Sequence, residues 1–587
     1  MLNKGNRESG YVLVSVLMIF LFLTLLSTVL MAKVLQSNKF VAVAENNIEE
    51  KVAAENIIKE ATAWLEKEIQ GLNDSSVHRS SVVQEIEDTL NELKTKYPVE
   101  VNDNMISNDL SGSGNAVMNV TITASEGDTK YTTEYTISTL AEVFKYASVT
   151  PGNLSLNGAS YIKGDLYVGD EFHSSNKSNF IRSSDDYAAE TSYPTIDGTL
   201  TIPNAFKYTK ENTQHTLTNP ITQEGIAPYF YKEVPQLVER ELDDEPFDVE
   251  QLVTEAKSRF DNEFLDGDYD TEVLEIGGAI INQHIVKEGD TLYDTLQINS
   301  GSSVTVKGDL FVNNDLIMKS GSELTVHGDI YVNNYADPCI VLPLIGQVCG
   351  DADDSDDEGL ISRTELSGDL TVNSTIFING AFEMKNLNLD GVVYSNGEAT
   401  ISESITMAGN GSTVITNDKA TVEDLDNSSG GTLVLMTEGE LKVQNNNSFQ
   451  DNPREMNAFF YTNSDLEIYG VWSNMKINGG LYGQNITLNA VKGKVKGVKK
   501  DEGGGTYNQS DYDRYAYDGL FDEGFLDTVD FLDLFKDVVY VEKNQDSIDY
   551  TKSRLQIDYN EQLMLSPPKG IPMVNNISLK KIDERFE

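Results

Sequence analysis

Hydrophobic and polar positions change texture along the chain. The first texture is an apolar run, YVLVSVLMIFLFLTLLSTVLMA over residues 11–32, with no charged residue. About 20 such residues cross the hydrocarbon core of a bilayer as a helix. No Gly or Pro occurs in residues 11–70, so one unbroken helix of roughly 90 Å is expected, at about 1.5 Å per residue. Past the apolar run the spacing becomes amphipathic, with Val52, Ala53, Ile57, Ala61 and Trp64/Leu65 forming a stripe and Gly71 as the stop. Residues 77–97 read as a second amphipathic helix, ended by Pro98. Alternation then takes over. Residues 116–124 and 129–139 predict a hairpin turning at Glu126-Gly127-Asp128.

The strongest internal signal is a repeat. SGSSVTVKGDLFVNN at 300–314 is answered by SGSELTVHGDIYVNN at 320–334, an offset of twenty residues throughout. Gly164-Asp165-Leu166-Tyr167-Val168 and Gly368-Asp369-Leu370-Thr371-Val372 are echoes. That period fits one coil of a parallel β-helix, whose coils bury their apolar faces only by stacking. Val304, Val306, Leu310 and Val312 should then stack on Leu324, Val326, Ile330 and Val332. Thr305 and Phe311 should point outward above Thr325 and Tyr331. The regular leucine and asparagine frame of a leucine-rich repeat is missing. The pattern resembles bactofilin-type polymer-forming domains, and only the fold is taken from that resemblance.

The expected chain is mainly β. It comprises a leader (1–10), a transmembrane and amphipathic helix (11–71), and a small α/β collar (72–145). An interrupted right-handed parallel β-helix (146–505) follows, with insertions at 172–264 and 335–365. Residues 506–587 form a C-terminal cap region that includes a helix at 525–537.

Of the 587 residues 39% are hydrophobic and 9% aromatic, which suits a folded chain. The net charge of −50 repels phosphate backbones and anionic headgroups, so no nucleic-acid partner is expected. Membrane lipid is met through the apolar helix instead. Lys4 and Arg7 favour an N-terminus inside the cell, although Lys33 and Lys39 on the far side pull the other way.

Glu8-Ser9-Gly10-Tyr11-Val12-Leu13 resembles a prepilin leader ending in Gly. With Ala53-Ala54-Glu55 and Glu60-Ala61, the first segment is similar to the PilX-type minor pilins of type IV pilus systems. The resemblance implies a prepilin peptidase that cuts between Gly10 and Tyr11, other pilin-like subunits as partners of the helix, and an extracytoplasmic body. Major pilins carry Glu at the fifth mature position, where Ser15 stands here. A subunit lacking that carboxylate suits the start or tip of a filament, or a rare place within it. The alternatives are an uncut, signal-anchored envelope scaffold and a carbohydrate-binding or carbohydrate-active surface protein.

Chemistry is sparse. Residues 354–365, DSDDEGLISRTE, follow the EF-hand calcium loop pattern. Asp354, Asp356, Glu358, the Leu360 carbonyl, Ser362 through a water, and Glu365 would supply oxygens to Ca2+, and Gly359 would permit the turn. An accidental acidic run is the alternative in so acidic a chain. Cys339 and Cys349 should form a local disulfide if their loop lies outside the cytoplasm. The Asp of each Gly-Asp pair is expected to bond corner backbone rather than a cation. No catalytic serine, phosphate-loop or dinucleotide motif appears in its required context, and no enzymatic activity is expected. Tyr167, Phe311 and Tyr331 could stack on a surface glycan or host ligand if exposed.

Overall fold

The computed structural model describes residues 8–74, 82–108, 116–127, 129–179, 188–202, 204–210, 213–218, 220–240, 242, 247–262, 274–276, 279–334, 339–342, 346–349, 364–448, 450–471, 473–498, 512–517, 537–561, 567–572 and 577–586. They form two compact units. The first comprises Met1–Ile106, Met118–Ser138 and Ile577–Glu587, and the second Ser107–Val117 and Thr139–Asn576.

In the first unit, helix α1 (Glu8–Asp74) runs for 67 residues, roughly 100 Å at about 1.5 Å per residue. Its apolar part has a mean hydropathy of 2.7 in the most apolar window and makes no buried contact. It is a candidate membrane anchor. The second half of α1 buries Ala54, Ile58, Ala61, Leu65 and Ile69, spaced by three or four residues along one face. The buried line sits one residue from part of the expected stripe: Ala61 and Leu65 belong to both, whereas Val52 stays exposed.

That face packs on helix α2 (Val82–Lys96) and on a sheet of strands β1 (Val99–Asn108), β2 (Ala116–Glu126) and β3 (Thr129–Ser138). The fourth strand, Ser578–Phe586, pairs antiparallel with β3. The 506–587 cap is therefore corrected: its last strand belongs to the first unit. Tyr131 packs on Phe586 at 4.4 Å, and Asn73 grips Ile577 through both its amide N–H (3.0 Å) and carbonyl (2.6 Å).

The second unit is a parallel β-solenoid of about 13 turns. Val304, Val306, Leu310 and Val312 pair with Leu324, Val326, Ile330 and Val332, as the repeat requires. One inner ladder runs through Leu310, Ile330, Ile376, Val393, Val414, Leu435, Phe460 and Leu481. Each buried aliphatic side chain contributes about 1.5–3 kcal/mol relative to exposure, and only stacking removes both edges of a coil from water. A corner is stapled by amides: Asn379 donates to Asn333 (3.1 Å), Asn396 to Asn379 (2.8 Å) and Asn417 to Asn396 (3.0 Å).

Axial order departs from sequence order. The strand Met475–Ala490 pairs onward with Ser148–Thr150 and Leu154–Gly158, the first coil of the unit in sequence. Leu166–Val168 and then Thr199–Thr201 stack beyond Ser148–Thr150, and Gln236–Leu237 beyond those. Part of the expected insertion at 172–264 is thus solenoid, and Leu555–Tyr559 adds a strand beside Met475–Ala490.

After Leu237 the chain passes to the opposite end, where Leu274–Ile276 begins the long run of coils. The short helix α3 (Gln223–Ile226) precedes this passage, and helix α4 (Val249–Phe260) forms its middle. Asp248 caps α4 by accepting from Gln251 N at 2.8 Å. Phe247 packs on Tyr461 and Phe144, and Phe260 on Phe377 and Tyr331. The outward ladder from Tyr331 to Tyr461 passes through Phe377, Tyr394, Ile415 and Met436. Five coil steps at about 4.8 Å cover about 24 Å. The α4 segment spans about 20 Å, so its length matches the crossing.

Candidate functional sites

Gly10 and Tyr11 lie in the backbone at the start of α1. Asp354, Asp356, Glu358, Leu360 and Ser362 lie outside the described residues. Glu365 is in the solenoid strand Thr364–Ile378, where its carboxylate pairs with Lys319 at 2.9 Å. The helix 525–537 also falls almost wholly outside the described residues. Cys339 stands opposite Cys349 in an antiparallel backbone pair. Among the described residues no group of three or more His, Cys, Asp or Glu side chains is placed to hold a metal.

The Gly-Asp corners use their carboxylates between coils. Asp290 accepts from Asp309 N, Asp309 from Asp329 N and Asp329 from Thr375 N, each at 2.8 Å. A Cβ at Gly308 would lie 2.0 Å from the Asp290 carboxylate, and one at Gly328 lies 1.9 Å from that of Asp309. Close approach, rather than a left-handed backbone, demands Gly at these two positions. Phe311 and Tyr331 do point outward, stacked at 5.3 Å, but both are buried. Tyr167 is half-buried. The expected exposed aromatic row on these coils is corrected: α4 covers it through Phe260.

The arrangement that sequence reading missed lies where residues 447–454 meet 492–496 and 551–556. Two adjoining cavities, about 310 and 550 Å³, share Asp451, Asn452 and Pro453 in their walls. Lys494 and Lys552 line the first, and Arg454 and Lys496 the second. Lys496 bonds Asp451 at 2.9 Å and holds its carboxyl below the usual range. Lys494 lies 3.8 Å from the same carboxylate, and Arg454 pairs with Asp424 at 2.6 Å.

Arg554 is 0% exposed. Its Nε donates to Ser473 O (2.9 Å) and its Nη1 to Gln450 O (3.1 Å) and Gly493 O (3.4 Å). Gln450 and Gly493 line the two cavities. Nη2 is buried without a hydrogen-bond partner. Among the described residues no carboxylate forms an ion pair with it, and burial lowers its pKa to about 10. Nearby Lys492 is also buried, with Nζ unbonded 3.5 Å from the Tyr231 ring centroid. Burial pulls its pKa down to about 8. A cation between alternating residues carries no mark of such burial, so the sequence offered no signal for either group.

Comparison of the chain with protein-family models, curated proteins and solved structures gave no match.

Proposed function

We propose that the chain is a membrane-anchored, pilin-like subunit that assembles through α1 and displays its solenoid outside the cytoplasm. The carrying observation is the division of α1. Its second half is fixed to a four-stranded sheet, while large apolar side chains from Leu13 to Val52 are exposed. That exposed stretch is about 60 Å long, against about 30 Å of bilayer hydrocarbon. Val34, Leu35, Phe40, Val41, Val43 and Ile48 therefore remain apolar beyond what an anchor needs. Contiguous apolar surface of this kind marks an interaction site, and sister helices of like pattern are its natural cover. Ser15 in place of the usual Glu supports a role at the start or tip of an assembly, or as a rare subunit. The reading assigns the chain assembly and display, with adhesion through the solenoid, and no catalytic step.

The test is the mass of the N-terminal peptide from membranes of cells that make the chain. The expected product starts at Tyr11, and Gly10→Ala retains residues 1–10. A wild-type chain that keeps its leader favours the signal-anchored scaffold instead. A Val41→Cys variant should cross-link to pilin-like partners after oxidation; a purely monomeric chain at native expression also counts against assembly.

A further inference from the structure

The cleft around Asp451 gathers cations in a chain that is otherwise strongly anionic. Lys494, Lys496, Lys552 and Arg454 line it, and Arg554 lies behind its wall. Asp451 and Glu542 line it as well. Asp451 takes up Lys496, with Lys494 at 3.8 Å, and Asp424 and Asp426 outside the lining hold Arg454, which leaves Lys494, Lys552 and Arg554 to meet a ligand. The chain as a whole carries 94 acidic against 44 basic residues, so this convergence runs against composition. A buried guanidinium with no direct ion pair, compensated only by the field of Asp451, is costly, and an anion seated against that wall offsets the cost.

The rest of the lining narrows the ligand. Asn447 and Gln556 spend their amide N–H groups on backbone carbonyls, and Thr551 donates to Asp549. The amides of Gln450 and Asn452 and the side-chain carbonyls of Asn447, Asn474 and Gln556 supply the donors and acceptors of the lining, which suits hydroxyl groups. Apolar lining is confined to Pro453 and Ile548, apart from the stems of longer side chains, so there is little to hold peptide side chains. Cavities of about 300–1,000 Å³ accommodate small organic ligands, and the two here adjoin. We infer that this cleft binds a carboxylated oligosaccharide, its hydroxyls met by the amides and its carboxylates by Lys494, Lys552 and the field of Arg554. The inference rests on the display function proposed above and gives the solenoid a ligand class.

The experiment is titration calorimetry of the full chain in detergent micelles with trigalacturonic acid. Maltotriose, inorganic sulfate and hexaglutamate serve as comparators. Trigalacturonic acid should bind with an affinity that falls as salt rises, and maltotriose and sulfate should bind at least about tenfold more weakly. The exposed pair Lys494→Ala/Lys552→Ala should lower affinity by about tenfold or more, each lost contact being charge-assisted. Arg554→Met should weaken binding too, with circular dichroism to show whether it folds. The surface double variant keeps the test valid if it does not. Absence of heat with trigalacturonic acid overturns the inference, as does an unchanged affinity in the double variant. Equal binding of sulfate or hexaglutamate overturns the glycan class. Leader processing and α1 cross-linking are read at the other end of the chain, so failure here is separable from failure of the pilin-like reading.

Discussion

Lys492 shows how a single residue is held against its solvation preference. Its ammonium has exchanged water for the face of Tyr231 and no hydrogen bond. Folding therefore disfavours the charged form, and the folded pKa of about 8 lies below the ordinary lysine value of 10.5. Below pH 8 both states are protonated and the penalty is fully present. Between about 8 and 10.5 the unfolded chain binds more protons, so stability rises with pH, and above that window the penalty is gone. Lys492→Met should accordingly raise the thermal midpoint at pH 7, by a margin that shrinks as pH climbs through that window. A gain that stays constant from pH 7 to 10.5 would show that packing, not charge, is responsible. The corner residues were easier to read. Gly308 and Gly328 stand out in the repeat, yet what excludes a Cβ is an Asp from the neighbouring coil, a contact visible only once coils are stacked.

At the scale of elements, the repeat fixes which residues of a coil point inward, because alternation and a twenty-residue offset are local properties. Val304 over Leu324 and Leu310 over Ile330 were legible for that reason. Which coil meets which is not local. Nothing in the motif says that Leu481 stacks on Ser148, or that 578–586 returns to β3. The cover over Phe311 and Tyr331 is likewise not local, because the covering helix lies far from them in sequence. Val249, Val253, Ala256 and Phe260 are the buried face of α4. Phe260→Ala should destabilise the solenoid by about 3–5 kcal/mol, the usual range for a buried Phe. Chemical denaturation measures it, and binding of an apolar dye should rise under native conditions. A cost below about 1 kcal/mol would mean that α4 only rests on the coils rather than sealing them.

For the whole molecule, both compact units are assembled from separated stretches of sequence. The first unit needs 577–587 to complete its sheet, and a deletion of those residues from the full chain tests that dependence. Amide exchange should quicken in β3, where Tyr131, Thr133, Tyr135 and Ile137 lose their pairing register with Ser578–Phe586. The inner ladder of the solenoid should keep its protection. Equal loss in both units would mean that they unfold together.

The place where the chain passes into and out of the solenoid has a mechanical consequence. The backbone joins the stack at Ser148–Thr150 and leaves it past Ser412, where Thr413 donates to Lys569 O at 2.7 Å, and Val392, which packs against Gly570. Tension applied through residues 139 and 576 is therefore borne by the coils between these points. The coils at 274–287 and 199–237 hang outside the load path, so a chain under tow can keep both tips of its solenoid slack.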